Sequence, residues 1–145
     1  MNIFLACCSK KLNCAGEAQK VYCSDLFKKS LEYAKSIPNA KIYILSAKYG
    51  LLELTDIISP YNITLNKMSN SQIEIWANKV LESMKTKNVN FCEKTIFLCG
   101  ENYRKHLLKY FSNYEIPLQG LGIGKQLAWY KNKLQTSKIS KYSLF

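Results

Sequence analysis

The stretch KIYILSAKYGLL, residues 41–52, decides how the chain is read. Its first part, KIYIL, is apolar and rich in β-branched residues, as a buried strand is. Ser46, Lys48, Tyr49 and Gly50 then interrupt the run before Leu51 and Leu52 resume it. In a parallel sheet covered on both faces, strands read as unbroken apolar runs, and ligands bind beyond their C-terminal ends. The interruption is therefore expected at such an edge, with Gly50 allowing a turn and the two leucines returning to the core.

Three further apolar runs lie on either side: Ile3 to Cys7, Thr95 to Cys99, and a weaker one from Tyr114 to Leu118. Helical spacing connects them. Ser24 to Ile37 places Leu26, Phe27, Leu31, Ala34 and Ile37 on one side, opened by Ser24 or Asp25 and closed by Pro38. Ser69 to Lys85 carries Ile73, Trp76, Ala77, Val80, Leu81 and Met84, with Gln72 placed for a capping box and Met68 for a staple against Ile73. Glu101 to Phe111 reads as a third helix, and a last one runs from Gly122 or Gly124 to Leu134. Strand and helix alternate, which predicts an α/β protein: a three-layer sandwich of four or so mainly parallel strands with helices on both faces. One domain is expected over residues 1–135, followed by a basic tail at 136–145.

The chain has 145 residues, enough for a core that needs no metal or disulfide. No apolar run is long enough to span a bilayer. The basic pair Lys10–Lys11 follows the first apolar run, the reverse of a secretion signal, so a cytoplasmic protein is expected. There the six cysteines stay reduced, and neither their spacing nor the single His106 makes a metal site. No cofactor is expected. The net charge is +11, and of 21 basic residues only Arg104 is an arginine. Lysine meets phosphate as a point charge, so any nucleic-acid contact is expected along the backbone and tolerant of sequence. A lysine-rich composition also follows from an AT-rich genome.

The strand exits collect the candidate site. Ser9, Lys10 and Lys48 are candidates to hold phosphate, and Cys8 beside two lysines is a candidate thiolate. The segment QGLGIGKQ, which includes Gly122 and Gly124, departs from the Walker pattern at Gln119 and Gln126; it fits a tight turn or an anion at a helix start. Asp56, in the long connection after Leu52, is the first carboxylate to consider for activating water and Glu101 the second, although an aspartate there also suits a turn.

The segment ILSAKYGLLELTDIISPYNITL resembles the YGLL and D-x-I-x-PY landmarks of the YaaA peroxide-stress family, with Asn62 where that family has arginine. A fuller likeness is to a small bacterial and phage family of unknown function. It is carried by CSKK at 8–11, Tyr22, LSAKYGLL at 45–52, PYNITL at 60–65, Trp76, Gly100 to Tyr103, and PLQGLGIG at 117–124. More distantly, the chain is similar to domains attached to tRNA-guanine transglycosylase relatives and to uracil-DNA-glycosylase-like α/β domains. These resemblances imply DNA binding on the one hand and nucleobases and glycosidic bonds on the other.

The expectation is an enzyme directed at a nucleotide, nucleobase or nucleic acid, cleaving or exchanging an N-glycosidic bond. Asp56, Lys48 and Ser9 are its catalytic candidates. Cys8, Lys10, Ser46, Tyr49, Gly50, Pro60, Tyr61, Gly100, Tyr103, Gly122 and Gly124 are its binding candidates, with Tyr49 and Tyr61 shaping or stacking on the base. The alternatives are a non-catalytic nucleic-acid-binding protein and a protein-interaction module of phage or mobile-element origin.

Overall fold

The structure is a computed structural model that describes residues 1–143, and side chains as far as residue 136. Its first half contains β1 (Asn2–Ala6), β2 (Gly16–Glu17), α1 (Ala18–Val21), α2 (Asp25–Lys35), β3 (Lys41–Ser46), β4 (Gly50–Glu53) and β5 (Ile57–Ile58). Its second half contains α3 (Asn70–Thr86), β6 (Thr95–Leu98), α4 (Glu101–Arg104), β7 (Tyr114–Glu115) and α5 (Ile123–Ser143). Single 3-10 turns stand at Leu65–Lys67 and Leu108–Tyr110.

The main sheet has five strands in the order β4-β3-β1-β6-β7. Four run parallel, and β1 lies between β3 and β6 with Ile3 beside both Ile42 and Ile96. The strand count exceeds the expected four because the second half of the opening stretch, GLLE, is itself the edge strand β4, antiparallel to β3. It shows no alternation because Leu51 packs into the core on one face and Leu52 into the core on the other. A separate two-stranded ribbon joins β2 and β5.

The core divides at the sheet. On one face Phe4 stacks between Tyr43 and Phe97, with ring centroids 5.5 and 5.2 Å away, and meets Ile73, Trp76 and Val80 of α3. On the other face Ile3, Leu5 and Ile44 meet Phe27 and Ala34 of α2 and Tyr130 of α5. Tyr33 and Trp129 lie edge to face at 5.0 Å and tie α2 to α5.

Helix starts agree with local chemistry. Ser24 Oγ accepts the Phe27 N–H, and Ser69 and Gln72 exchange the two bonds of a capping box. The expected helix over Glu101 to Phe111 is instead the short α4 followed by a 3-10 turn. The spacing of Tyr103, Leu107, Tyr110 and Phe111 that suggested one helix is met by successive turns that bring Tyr103, Leu107 and Phe111 into the core and leave Tyr110 exposed. The last helix continues past Leu134 to Ser143, so the basic tail expected from residue 136 begins inside α5. The last two residues of that tail lie outside the described residues. Among the described residues no helix is long and apolar enough to cross a membrane.

The two core clusters also bear on the shape of the sheet's C-terminal edge. The chain leaves β1 toward the face that α2 covers, and leaves β6 toward the face of α3, where Tyr103 of α4 is buried. Adjacent strands whose exits diverge to opposite faces leave a crevice between their C-terminal ends.

Gly50 turns the chain between β3 and β4 at φ +71°, and a Cβ there would meet only ordinary contact with Val80. The left-handed backbone, rather than crowding, therefore requires glycine. Gly50→Ala is expected to lower unfolding stability by about 1–2 kcal/mol, read as a lower urea midpoint with an unchanged slope.

Candidate functional site

The crevice holds a cavity of about 320 Å³. Cys7 and Cys8 from the end of β1, and Cys99, Gly100, Glu101 and Arg104 from the end of β6 and α4, form two sides of it. Ser24, Phe27 and Ser30 at the start of α2 form a third, and residues 118–121 with Gln126 and Tyr130 of α5 close it. Gly120, at φ +79°, turns the chain along that last wall, and the Gln126 side chain donates to the Leu121 carbonyl at 2.8 Å.

Each side chain is fixed by its place in the fold. Cys7 remains tied to the sheet by its N–H, which donates to the Leu45 carbonyl at 3.0 Å. Its thiol donates to the Tyr103 hydroxyl at 3.5 Å. Cys8 turns its thiol to the Lys10 carbonyl at 3.1 Å. Arg104 is 8% exposed, and its Nη1 donates to the Cys99 carbonyl at 2.7 Å. Among the described residues neither Arg104 nor Glu101 forms an ion pair. Burial pushes the Cys99 thiol up to about 12, with the Arg104 charge acting in the opposite direction. Cys99 is therefore a protonated wall residue and not a nucleophile.

A second polar group adjoins the cavity at Cys7, on the β3 side. The hydroxyls of Tyr22, Ser46 and Tyr61 form a triangle with sides of 3.0, 2.7 and 2.8 Å. Ser46 also accepts the Tyr49 N–H at its Oγ and the Trp76 indole N–H at its carbonyl. The Tyr49 hydroxyl in turn bonds both backbone groups of Ser59. This network seats the 59–64 connection on the strand ends. Its members are saturated with one another: burial pushes the Tyr22 phenol up to about 12 and raises Tyr61 and Tyr103 as well. Neutral, mutually bonded phenols of this kind hold structure.

The candidates read from the sequence thus divide. Cys8 and Gly100 line the cavity, while Ser46, Tyr49 and Tyr61 belong to the hydroxyl network, Pro60 leads into it, and the Tyr103 hydroxyl accepts from the Cys7 thiol and the Leu65 N–H. Gly50 makes the hairpin. Ser9 and Lys10 are exposed just after Cys8, and Gly122 and Gly124 are exposed at the start of α5. Lys48 stands outside, 5.3 Å over the Tyr49 ring, beside a groove bounded by Met68, Ile75, Trp76 and Lys79. Asp56 accepts the Glu53 N–H at 2.8 Å and closes the turn after β4, away from the cavity. Arg104, Ser24 and Gln126 were not among the candidates. Ser24 and Gln126 carry no sequence signal beyond a cap and a helix position, whereas Arg104 stood out as the lone arginine.

Among the described residues no group of three or more His, Cys, Asp or Glu is disposed to hold a metal ion. The cavity offers instead one carboxylate, one guanidinium, three thiols, and hydroxyl and amide groups, set against the apolar side chains of Leu26, Phe27, Leu118 and Tyr130. A family model described as "Family of unknown function (DUF6884)" matches residues 3–132, from β1 into α5. No curated protein matches the chain.

Buried phenols and the buried thiol make stability depend on alkaline pH. Tyr22 and Cys99 keep their protons in the folded chain to about 12, whereas the unfolded chain releases them near the ordinary 10.0 and 9.0. The unfolded state then binds fewer protons, so stability is intact below about pH 9 and falls as pH rises toward 12. Urea midpoints measured from neutral pH upward should decline above about pH 9, and more gently in Tyr22→Phe; a flat profile would contradict the protonated network.

Proposed function

The chain therefore belongs to this family of unknown function, and from that premise we propose that it is an enzyme acting on a nucleotide or nucleobase. The reaction proposed is cleavage or exchange of an N-glycosidic bond in the cavity between β1 and β6. The observation that carries the reading is the cavity's place and content. It lies at the switch point of a parallel sheet and has on its wall an exposed carboxylate, Glu101, that forms no ion pair among the described residues. A volume of about 320 Å³ is at the lower end for ligand sites, which suits a molecule of nucleoside or mononucleotide size rather than a polymer.

The roles follow from the chemistry of the groups. The apolar side chains of Phe27, Leu118 and Tyr130 receive the face of the base, and the amides of Gln119 and Gln126 supply the donor and acceptor pairs that a base edge presents. Glu101 serves the anomeric carbon, either attacking it or directing a water or acceptor to it. This moves the chemical role from Asp56 to Glu101, because Asp56 closes a turn. Ser9 and Lys10 follow Cys8 at the cavity's mouth and suit the charged end of a larger substrate.

A second reading, binding of nucleic acid without catalysis, is favoured by a different observation. Lys11 lies 4.4 Å over the Tyr61 ring and Lys48 5.3 Å over Tyr49, so cations and aromatic faces alternate on the surface beyond β3. Such a surface suits backbone contacts with stacked bases. The likeness to the YaaA family supports this reading as well.

The two are separated by an assay for free base released from nucleosides, nucleotides and short DNA and RNA. Glu101→Gln is expected to lower kcat by about 10²-fold or more with an unchanged melting temperature. Asp56→Asn should keep kcat and lose about 1 kcal/mol of stability through its turn. The opposite pattern would return the chemistry to Asp56. Binding to DNA or RNA that is steeply salt-dependent, with no base released from any substrate, would favour the binder.

A further inference from the structure

Arg104 differs from every other basic residue of the chain in two ways at once. It is the single arginine among 21 lysine and arginine residues, and it is the single one of them that is buried among the described residues. Burying a cation is costly unless it is paired, and among the described residues no carboxylate lies within ion-pair distance of Arg104. Its one anchor among the described residues is the Cys99 carbonyl at 2.7 Å, which engages Nη1. A guanidinium has five N–H donors in a planar fork, so most of its donors remain for a partner. That partner faces the cavity, whose wall Arg104 forms.

We infer that Arg104 is the receptor for a compact oxyanion, and that the ligand of the cavity carries a phosphate monoester. The inference rests on the nucleotide reading above and deepens it: the substrate is a nucleoside monophosphate, recognised bidentately, rather than a neutral nucleoside or free base. A lysine in the same place would supply the charge without the fork. In a chain that uses lysine at its other basic positions, the planar geometry is what distinguishes this position. The carbonyl anchor fixes the plane of the fork before a ligand arrives, so that little side-chain freedom is lost on binding. Glu101, three residues earlier in the chain and on the same cavity wall, forms no ion pair with the guanidinium among the described residues.

The experiment is isothermal titration of the full chain with nucleoside 5′-monophosphates, the matching nucleosides and inorganic phosphate. It is performed on wild type, Arg104→Lys and Arg104→Gln, with thermal unfolding as the control for folding. Wild type is expected to bind at least one monophosphate tenfold or more tighter than its nucleoside, and both variants should bind the two forms alike. Equal affinity of wild type for nucleoside and monophosphate would overturn the inference and leave the nucleoside reading standing. Full retention of the monophosphate advantage by Arg104→Lys would also overturn it, since charge alone would then suffice. Arg104-dependent binding of phosphate with no affinity for nucleosides or nucleotides would support the receptor and remove the nucleotide reading. No binding by wild type of any of the three ligand classes would overturn both. Where the variants fail to fold, the wild-type arginine Nε–H resonance decides: it should shift with monophosphate and not with nucleoside, and a resonance indifferent to both would overturn the inference.

Discussion

Everything in this fold depends on β1 being closed in on all four sides. Its backbone pairs in parallel with β3 on one edge and β6 on the other, and Ile3, Phe4 and Leu5 point alternately into two separate cores. A strand so placed cannot be joined to both neighbours over the same face. The chain crosses by α2 on one face to reach β3 and by α3 on the other to reach β6. The crevice at the C-terminal end of β1 follows from that pairing and needs no separate cause.

What fills the rim of the crevice is arranged in two zones that share Cys7. Toward β3 the polar groups satisfy one another, and Tyr22, Ser46 and Tyr61 act as a clamp that holds the 59–64 connection. Toward β6 they do not: among the described residues the exposed Glu101 has no ionic partner, and the buried Arg104 bonds a carbonyl. A buried hydroxyl network that is complete contributes rigidity, whereas the Arg104 donors that line the cavity stay available to a ligand. The contrast between the zones separates residues satisfied within the fold from residues that carry the proposed chemistry.

Much of this was legible from residue order. The three main parallel strands, the helix caps at Ser24 and Ser69 and the gathering of polar groups at strand exits follow from apolar spacing and capping chemistry. Strand β4 was not legible as a strand, because Leu51 and Leu52 serve opposite faces and leave no period of two. Glu101 to Phe111 carries a helical spacing that two short turns satisfy equally well. Within the site, the prominent motif SAKYGLL supplies the hydroxyl network and the hairpin instead of the cavity. The cavity draws on residues as far apart as Cys7, Arg104 and Gln126, which only the sheet order brings together. Asp56 could be a turn or a base by sequence, and its bond to the Glu53 N–H is the local fact that sequence does not carry.

The central claim is that ligands enter between β1 and β6. Backbone amide chemical-shift mapping during titration with a mixture of mononucleotides tests it most directly. The account predicts shifts confined to three separated segments: residues 7–9, 99–104 and 118–126. Shifts concentrated instead at Lys48, Tyr49 and the groove beside Trp76, or spread over the lysine surface and lost on adding salt, would contradict it.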